Sequence, residues 1–78
     1  VGDVVARLKE EVEGGPFFSE IVKEENQGFI FEKKIDENNI NYDFRLVRIQ
    51  GDNEYIFQTG LLGRFTKDQV QEMFDAVN

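Results

Sequence analysis

Ile40-Asn41-Tyr42-Asp43-Phe44-Arg45-Leu46-Val47-Arg48-Ile49 is the stretch on which the fold turns. Ile40, Tyr42, Phe44 and Leu46 alternate with Asn41, Asp43 and Arg45. A period of two is the signature of a strand with two different faces. After Leu46 the apolar positions move to Val47 and Ile49, a phase change of one residue. Two arrangements accommodate it: a β-bulge, or a strand end buried on both faces. Polar turns bracket the stretch, Asp36-Glu37-Asn38-Asn39 before it and Gly51-Asp52-Asn53 after it.

Working outward, Phe29–Ile35 reads as the preceding strand, and Glu54–Thr59 as the following one with Tyr55 and Phe57 on one face and Ile56 on the other. Phe17–Glu24 is ambiguous. Phe17, Phe18, Ile21 and Val22 fit one helical face, but they also fit a strand feeding a hairpin at Glu25-Asn26-Gln27-Gly28. Strand is preferred, because Asn26 and Gly28 suit a tight turn.

The two ends are helical. Val1, Val4, Val5, Leu8 and Val12 recur at helical spacing, so a helix is expected over 3–13 with Asp3 as its cap. Gly14-Gly15-Pro16 should end it through a left-handed glycine and a proline that cannot continue. Near the C-terminus, Thr66 with Gln69 forms a capping box and Phe65 with Val70 a hydrophobic staple. Val70, Met73, Phe74 and Val77 are the stripe that should be buried.

The expected order is α-β-β-β-β-α, or α-α-β-β-β-α if 17–24 were helical. Short turns make the strand pairs antiparallel. The expected fold is a single α+β domain, 1–78: two layers, a three- or four-stranded antiparallel meander with N- and C-terminal helices packed on the sheet.

Composition limits function. The chain holds 16 acidic residues against 9 basic ones, for a net charge of −7, with no histidine and no cysteine. No basic stripe supports nucleic-acid binding, and an anionic membrane surface is disfavoured for the same reason. The electrostatic partners that fit are a basic protein surface or a cation. The absence of cysteine is compatible with a cytoplasmic location. Without histidine or cysteine, the commonest proton-transfer group, thiolate nucleophile and zinc ligands are missing. Ser19 is the only serine and has no histidine to activate it. The adjacent acid pairs Glu10/Glu11, Glu24/Glu25 and Asp36/Glu37 sit where acids are ordinarily solvated. Counted from Asp36, the fifth, sixth and twelfth positions of a calcium loop hold Ile40, Asn41 and Val47, so that pattern fails. The expectation is therefore a non-enzymatic protein, with no cofactor and no metal site.

The residues expected to contact a protein partner are Arg45, Arg48, Tyr55, Leu61 and Leu62. Arg45 and Arg48, with Arg64, make the one basic cluster on or near the central strand, Arg45 sharing a face with Val47 and Ile49 and Arg48 following Leu46 unless a bulge intervenes, and arginine beside Tyr55 and Ile56 is typical of contact surfaces. Their alternative role is cross-strand pairing with Asp43, Glu32 and Glu54. Gly60-Leu61-Leu62-Gly63 resembles the GXXG clamp of KH domains in spacing. Its centre is Leu-Leu, however, and no basic surface accompanies it. It reads as a turn covering the core edge or, with both leucines exposed, as an apolar contact loop.

The leading functional expectation is an adaptor, inhibitor, immunity-type or chaperone-like interaction domain. The alternative is a small apolar-ligand or lipid-binding module, its pocket lined by Phe29, Phe31, Phe44 and Phe57. A homodimer fits the small size and the two-faced strand around Leu46 and Val47.

Overall fold

In a computed structural model, residues 2–59 and 64–77 are described. The order is α1 (Gly2–Glu13), β1 (Phe18–Glu25), β2 (Gly28–Asp36), β3 (Asn39–Gln50), β4 (Asn53–Phe57) and α2 (Lys67–Val77). The four strands form one antiparallel sheet in the order β1-β2-β3-β4. The α+β meander with a helix at each end is as expected, and residues 18–25 are a strand.

The layering differs from the two-layer expectation. Along β2, Phe29 and Phe31 alternate with Ile30, and the two sets enter separate cores. Val5 and Leu8 of α1 pack with Phe29, Phe31 and Val47. Val70 and Phe74 of α2 pack with Ile30, Phe44 and Leu46. Successive strand side chains point to opposite faces, so the two helices cover opposite sides of the sheet. The sheet is the middle layer. Each helix still turns the stripe expected of it to the sheet, since 4, 5, 8 and 12 share one face of α1, and 70, 73, 74 and 77 one face of α2; Val1 lies outside the described residues.

This arrangement explains the phase change in β3. Its pairing with β4 runs without irregularity from Leu46↔Phe57 to Gln50↔Asn53, so there is no bulge. Leu46 faces α2 and Val47 faces α1, and both are buried. The strand is apolar on both sides at Leu46 and Val47 because both sides are covered there within one chain, whereas Ile49 beyond them is half exposed. That removes the reason for expecting a second copy at this point.

Two glycines carry specific demands. A Cβ on Gly28 would lie 2.2 Å from the Arg45 carbonyl oxygen and 2.9 Å from the Leu46 Cα, so no side chain fits between β2 and β3 there. Gly51 has a φ of 61° and opens the two-residue turn between Gln50 and Asn53, where a positive φ matches the twist of a hairpin. By contrast, Gly14 and Gly15 do not adopt the expected left-handed exit from α1. Their N–H groups instead donate to the Glu10 and Val12 carbonyls, at 3.1 and 3.0 Å, and Pro16 stops the helix.

At the other end the capping box forms as expected. The Gln69 N–H donates to Thr66 Oγ1 at 3.2 Å, and the Thr66 N–H donates to Gln69 Oε1 at 2.9 Å. Phe65 and Val70 share the α2-side core, as a staple requires.

β4 pairs only with the second half of β3. The first half of that edge is met by Thr59 and Phe65, which lie between β4 and α2. Tyr42 N–H donates to the Phe65 carbonyl at 3.2 Å, and Phe65 N–H donates to Asn41 Oδ1 at 2.7 Å. Thr59 is held by Asp43, whose geometry belongs to the candidate site.

Candidate functional site

Asp43 sits in the middle of β3 on the α1 side and is buried. An isolated buried carboxylate is costly, so its partners decide whether it is tolerated. Oδ1 accepts three hydrogen bonds: from Thr59 Oγ1 at 2.6 Å, from Thr59 N–H at 3.1 Å and from Phe44 N–H at 2.7 Å. Oδ2 accepts from Arg45 Nη1 at 2.9 Å and lies 3.6 Å from Lys33 Nζ. Burial pushes the carboxyl up, but the hydrogen bonds from Thr59 and Arg45, with the Arg45 charge, outweigh it and hold it below the usual carboxylate range. Asp43 therefore ties the end of β4 to the centre of the sheet. It also gathers two cations on one carboxylate oxygen.

Those cations form the floor of a pocket of about 230 Å³ between the end of α1 and the sheet. Val12, Phe17, Phe18 and Phe31 supply its apolar walls, and Glu11 is an exposed member of the lining. The Arg45 guanidinium carbon stands over the Phe31 ring, 5.3 Å from its centroid, within cation–π distance. Phe18 and Phe31 are in ring contact, with centroids 6.4 Å apart.

The pocket is not the one expected from sequence. Phe29 and Phe31 face α1, whereas Phe44 and Phe57 belong to the α2 side, so these four cannot line one cavity. Phe29 and Phe44 are buried as core. Phe17 and Phe18, with their register set by the pairing of Phe18 with Lys33, line the open space together with Phe31. Sequence reasoning grouped the phenylalanines by kind. The signal that separates them is parity along each strand.

A second feature lies at the far end of the β3–β4 hairpin. Ile49, Tyr55 and Ile56 are 48%, 44% and 42% exposed. β4 is an edge strand, and among the described residues no backbone hydrogen bond reaches its outer side. The opposite edge, β1, carries Glu20, Lys23, Glu24 and Glu25 and has two register shifts against β2. Charges and irregularities of that kind block strand addition. β4 pairs in regular register, and Glu54 is its one charged residue.

The expected contact residues are distributed accordingly. Arg48 is the cross-strand partner of Tyr55 on the α2 side, and its Nη1 donates to the Val77 carbonyl at 3.3 Å, at the end of α2. Arg45 is on the opposite face, in the pocket floor, so Arg45 and Arg48 do not form one cluster. Arg45 pairs with Asp43 along its own strand rather than across the sheet. Arg64 reaches Asn39 at 3.3 Å, at the other end of β3. Leu61 and Leu62 lie outside the described residues.

Among the described residues no cluster of three or more acidic side chains is placed to hold a metal ion. No described helix is long and apolar enough to cross a membrane. Comparison of the chain with protein-family models, with curated proteins and with solved structures gives no match.

Proposed function

We propose that this chain is a non-enzymatic interaction domain that takes an extended, basic segment of a partner protein along the outer edge of β4. The observation that carries the reading is the contrast between the two sheet edges. β1 has the charges and irregularities that disfavour pairing, whereas β4 presents backbone that no described residue bonds on its outer side, flanked by half-exposed Ile49, Tyr55 and Ile56. Strand addition draws affinity from main-chain hydrogen bonds and selectivity from alternate side chains. The net charge of −7 supports a basic partner by raising the encounter rate.

The test is a titration of isotope-labelled protein with the peptide Lys-Val-Lys-Val-Lys-Val-Lys, followed by amide shifts and hydrogen exchange. Expected are saturable shifts centred on residues 53–57, with new protection of β4 amides. Glu-Val-Glu-Val-Glu-Val-Glu should bind more weakly, and Ile56→Pro, which removes a donor and kinks the edge, should abolish binding of either. Shifts centred elsewhere, or equal binding of the acidic peptide, would sink the reading. A dimer in the absence of peptide, with β4 amides already protected, would assign the edge to a second copy instead.

A further inference from the structure

Asp43 gathers more positive charge than it neutralises. Lys33 and Arg45 share its single Oδ2, and Oδ1 is fully occupied by Thr59 and the Phe44 N–H. Arg45 spends only Nη1, on Asp43 and on the Phe44 carbonyl at 3.0 Å; among the described residues its Nε and Nη2 make no hydrogen bond. Lys33 Nζ, at 3.6 Å, is beyond hydrogen-bond length from its carboxylate. Both cationic side chains are largely enclosed, 30% exposed for Lys33 and 20% for Arg45. The result is one positive charge beyond what Asp43 neutralises, with free donors, at the base of a pocket walled by Val12, Phe17, Phe18 and Phe31 and bordered by exposed Glu11.

Holding Asp43 does not require this surplus, since one arginine suffices for one carboxylate. An apolar wall beside unspent guanidinium and ammonium donors has the chemistry of a site for an apolar carboxylate. We propose that the pocket between the end of α1 and the sheet binds the carboxylate of an apolar acid. The carboxylate rests on Arg45 and Lys33, and the apolar body lies against Phe17, Phe18 and Phe31. Glu11, exposed in the lining, and the carbonyl end of α1 oppose an anion and set its orientation, carboxylate towards the sheet and away from the helix. This site lies on the pocket side of α1 and does not depend on the β4 edge.

The source of such a carboxylate is either a free acid or the C-terminus of a protein chain, and two arms of one experiment separate them. The first titrates 3-phenylpropionate against 3-phenylpropionamide. The second titrates acetyl-Gly-Gly-Phe with a free C-terminus against its amide. Binding is read by NMR shifts of the Phe18 and Phe31 amides. The acid of at least one pair should bind about ten-fold tighter than its amide, as a charge-assisted contact in a partly enclosed site allows. Lys33→Met, which keeps the Arg45–Asp43 pair, should remove that preference, and Lys33→Arg should retain it. Glu11→Gln should tighten acid binding by a factor of about two to five, the range of an exposed charge. A preference confined to the first pair identifies a free acid, and one confined to the second a chain terminus. Equal binding of acid and amide in both pairs, no saturation by either acid at millimolar concentration, or an unchanged preference in a folded Lys33→Met protein would overturn the proposal.

Discussion

The two faces of the sheet are built to different standards. On the α2 side, Ile30, Phe44, Leu46, Val70 and Phe74 are all sealed, and Phe44 meets Phe74 edge to face at 6.0 Å and 82°. No ion pair enters that core among the described residues. On the α1 side, Val5 and Leu8 keep 7% and 8% of their surface exposed. The same face carries a buried carboxylate with two cations, and it opens into a pocket. A small domain has little stability to spare, and the α1 side still seals Phe29, Phe31 and Val47 beside its charged groups. The comparison teaches that the sheet itself separates a uniformly apolar core from a face that accommodates ion pairs and a pocket.

The largest effect should come from emptying the sealed face. Phe74→Ala is expected to cost about 3–5 kcal/mol, against a total of roughly 0.05–0.15 kcal/mol per residue for a natural domain. Urea denaturation should find this variant largely unfolded or with a sharply lowered midpoint. A midpoint near that of the parent would mean that the α2 side is not the stabilising face. Gly28→Ala follows. Its methyl would meet β3 backbone rather than a yielding side chain, so a loss of about 3 kcal/mol is expected, at the upper end of overpacking costs. Thermal unfolding reads it directly.

A matched pair sharpens the comparison. Val70→Ala and Val5→Ala delete the same atoms, one from each face. Val70 is 0% exposed and Val5 7%. Deletion should cost about 2–3 kcal/mol at Val70 and about 1 kcal/mol at Val5, because the open face can relax into the space left behind. Equal losses would erase the distinction between the faces.

The smallest effect is one of pH, and it belongs to the α1 side. The Asp43 carboxyl is held below its usual range in the folded chain, so the native state binds its proton more weakly than the unfolded chain does. Its contribution is therefore complete above the unfolded value of about 3.9 and is lost as pH falls from there through the folded value. Asp36, lowered by hydrogen bonds from Asn39 and Asn38 in an exposed turn, adds to the same acid limb. Asp43→Asn should lower stability at neutral pH and flatten the dependence below pH 4. A variant with an unaltered acid limb would show that Thr59 and Arg45 do not favour the charged form.

Much of the fold was legible because its signals are local. The alternation of Ile40, Tyr42, Phe44 and Leu46 marks a strand whatever surrounds it. Thr66 and Gln69 cap a helix through bonds three residues apart. The site was less legible. Tyr55 and Arg48 do come together, because cross-strand partners follow from the turn at Gly51. The separation of Arg45 from Arg48 follows from strand parity, Arg45 with Val47 and Arg48 with Leu46, once a bulge is ruled out. The role of Asp43 was legible only in part: pairing with an arginine was one reading of it, but its hydrogen bonds to Thr59 join residues sixteen apart, and β4 ends at Phe57, short of the expected strand end at Thr59.

By itself the chain determined the elements, their order, their antiparallel pairing and the stripes the helices bury. These follow from periodicity, capping and turn chemistry, all of which act over a few residues. Only the tertiary structure decided which helix covers which face, and with that which phenylalanines are core and which line a pocket. Alternation shows that a strand has two faces, but it carries no label for their occupants. That assignment depends on contacts between residues far apart in sequence, where α1 meets Phe31 and α2 meets Phe44 on opposite sides of one sheet.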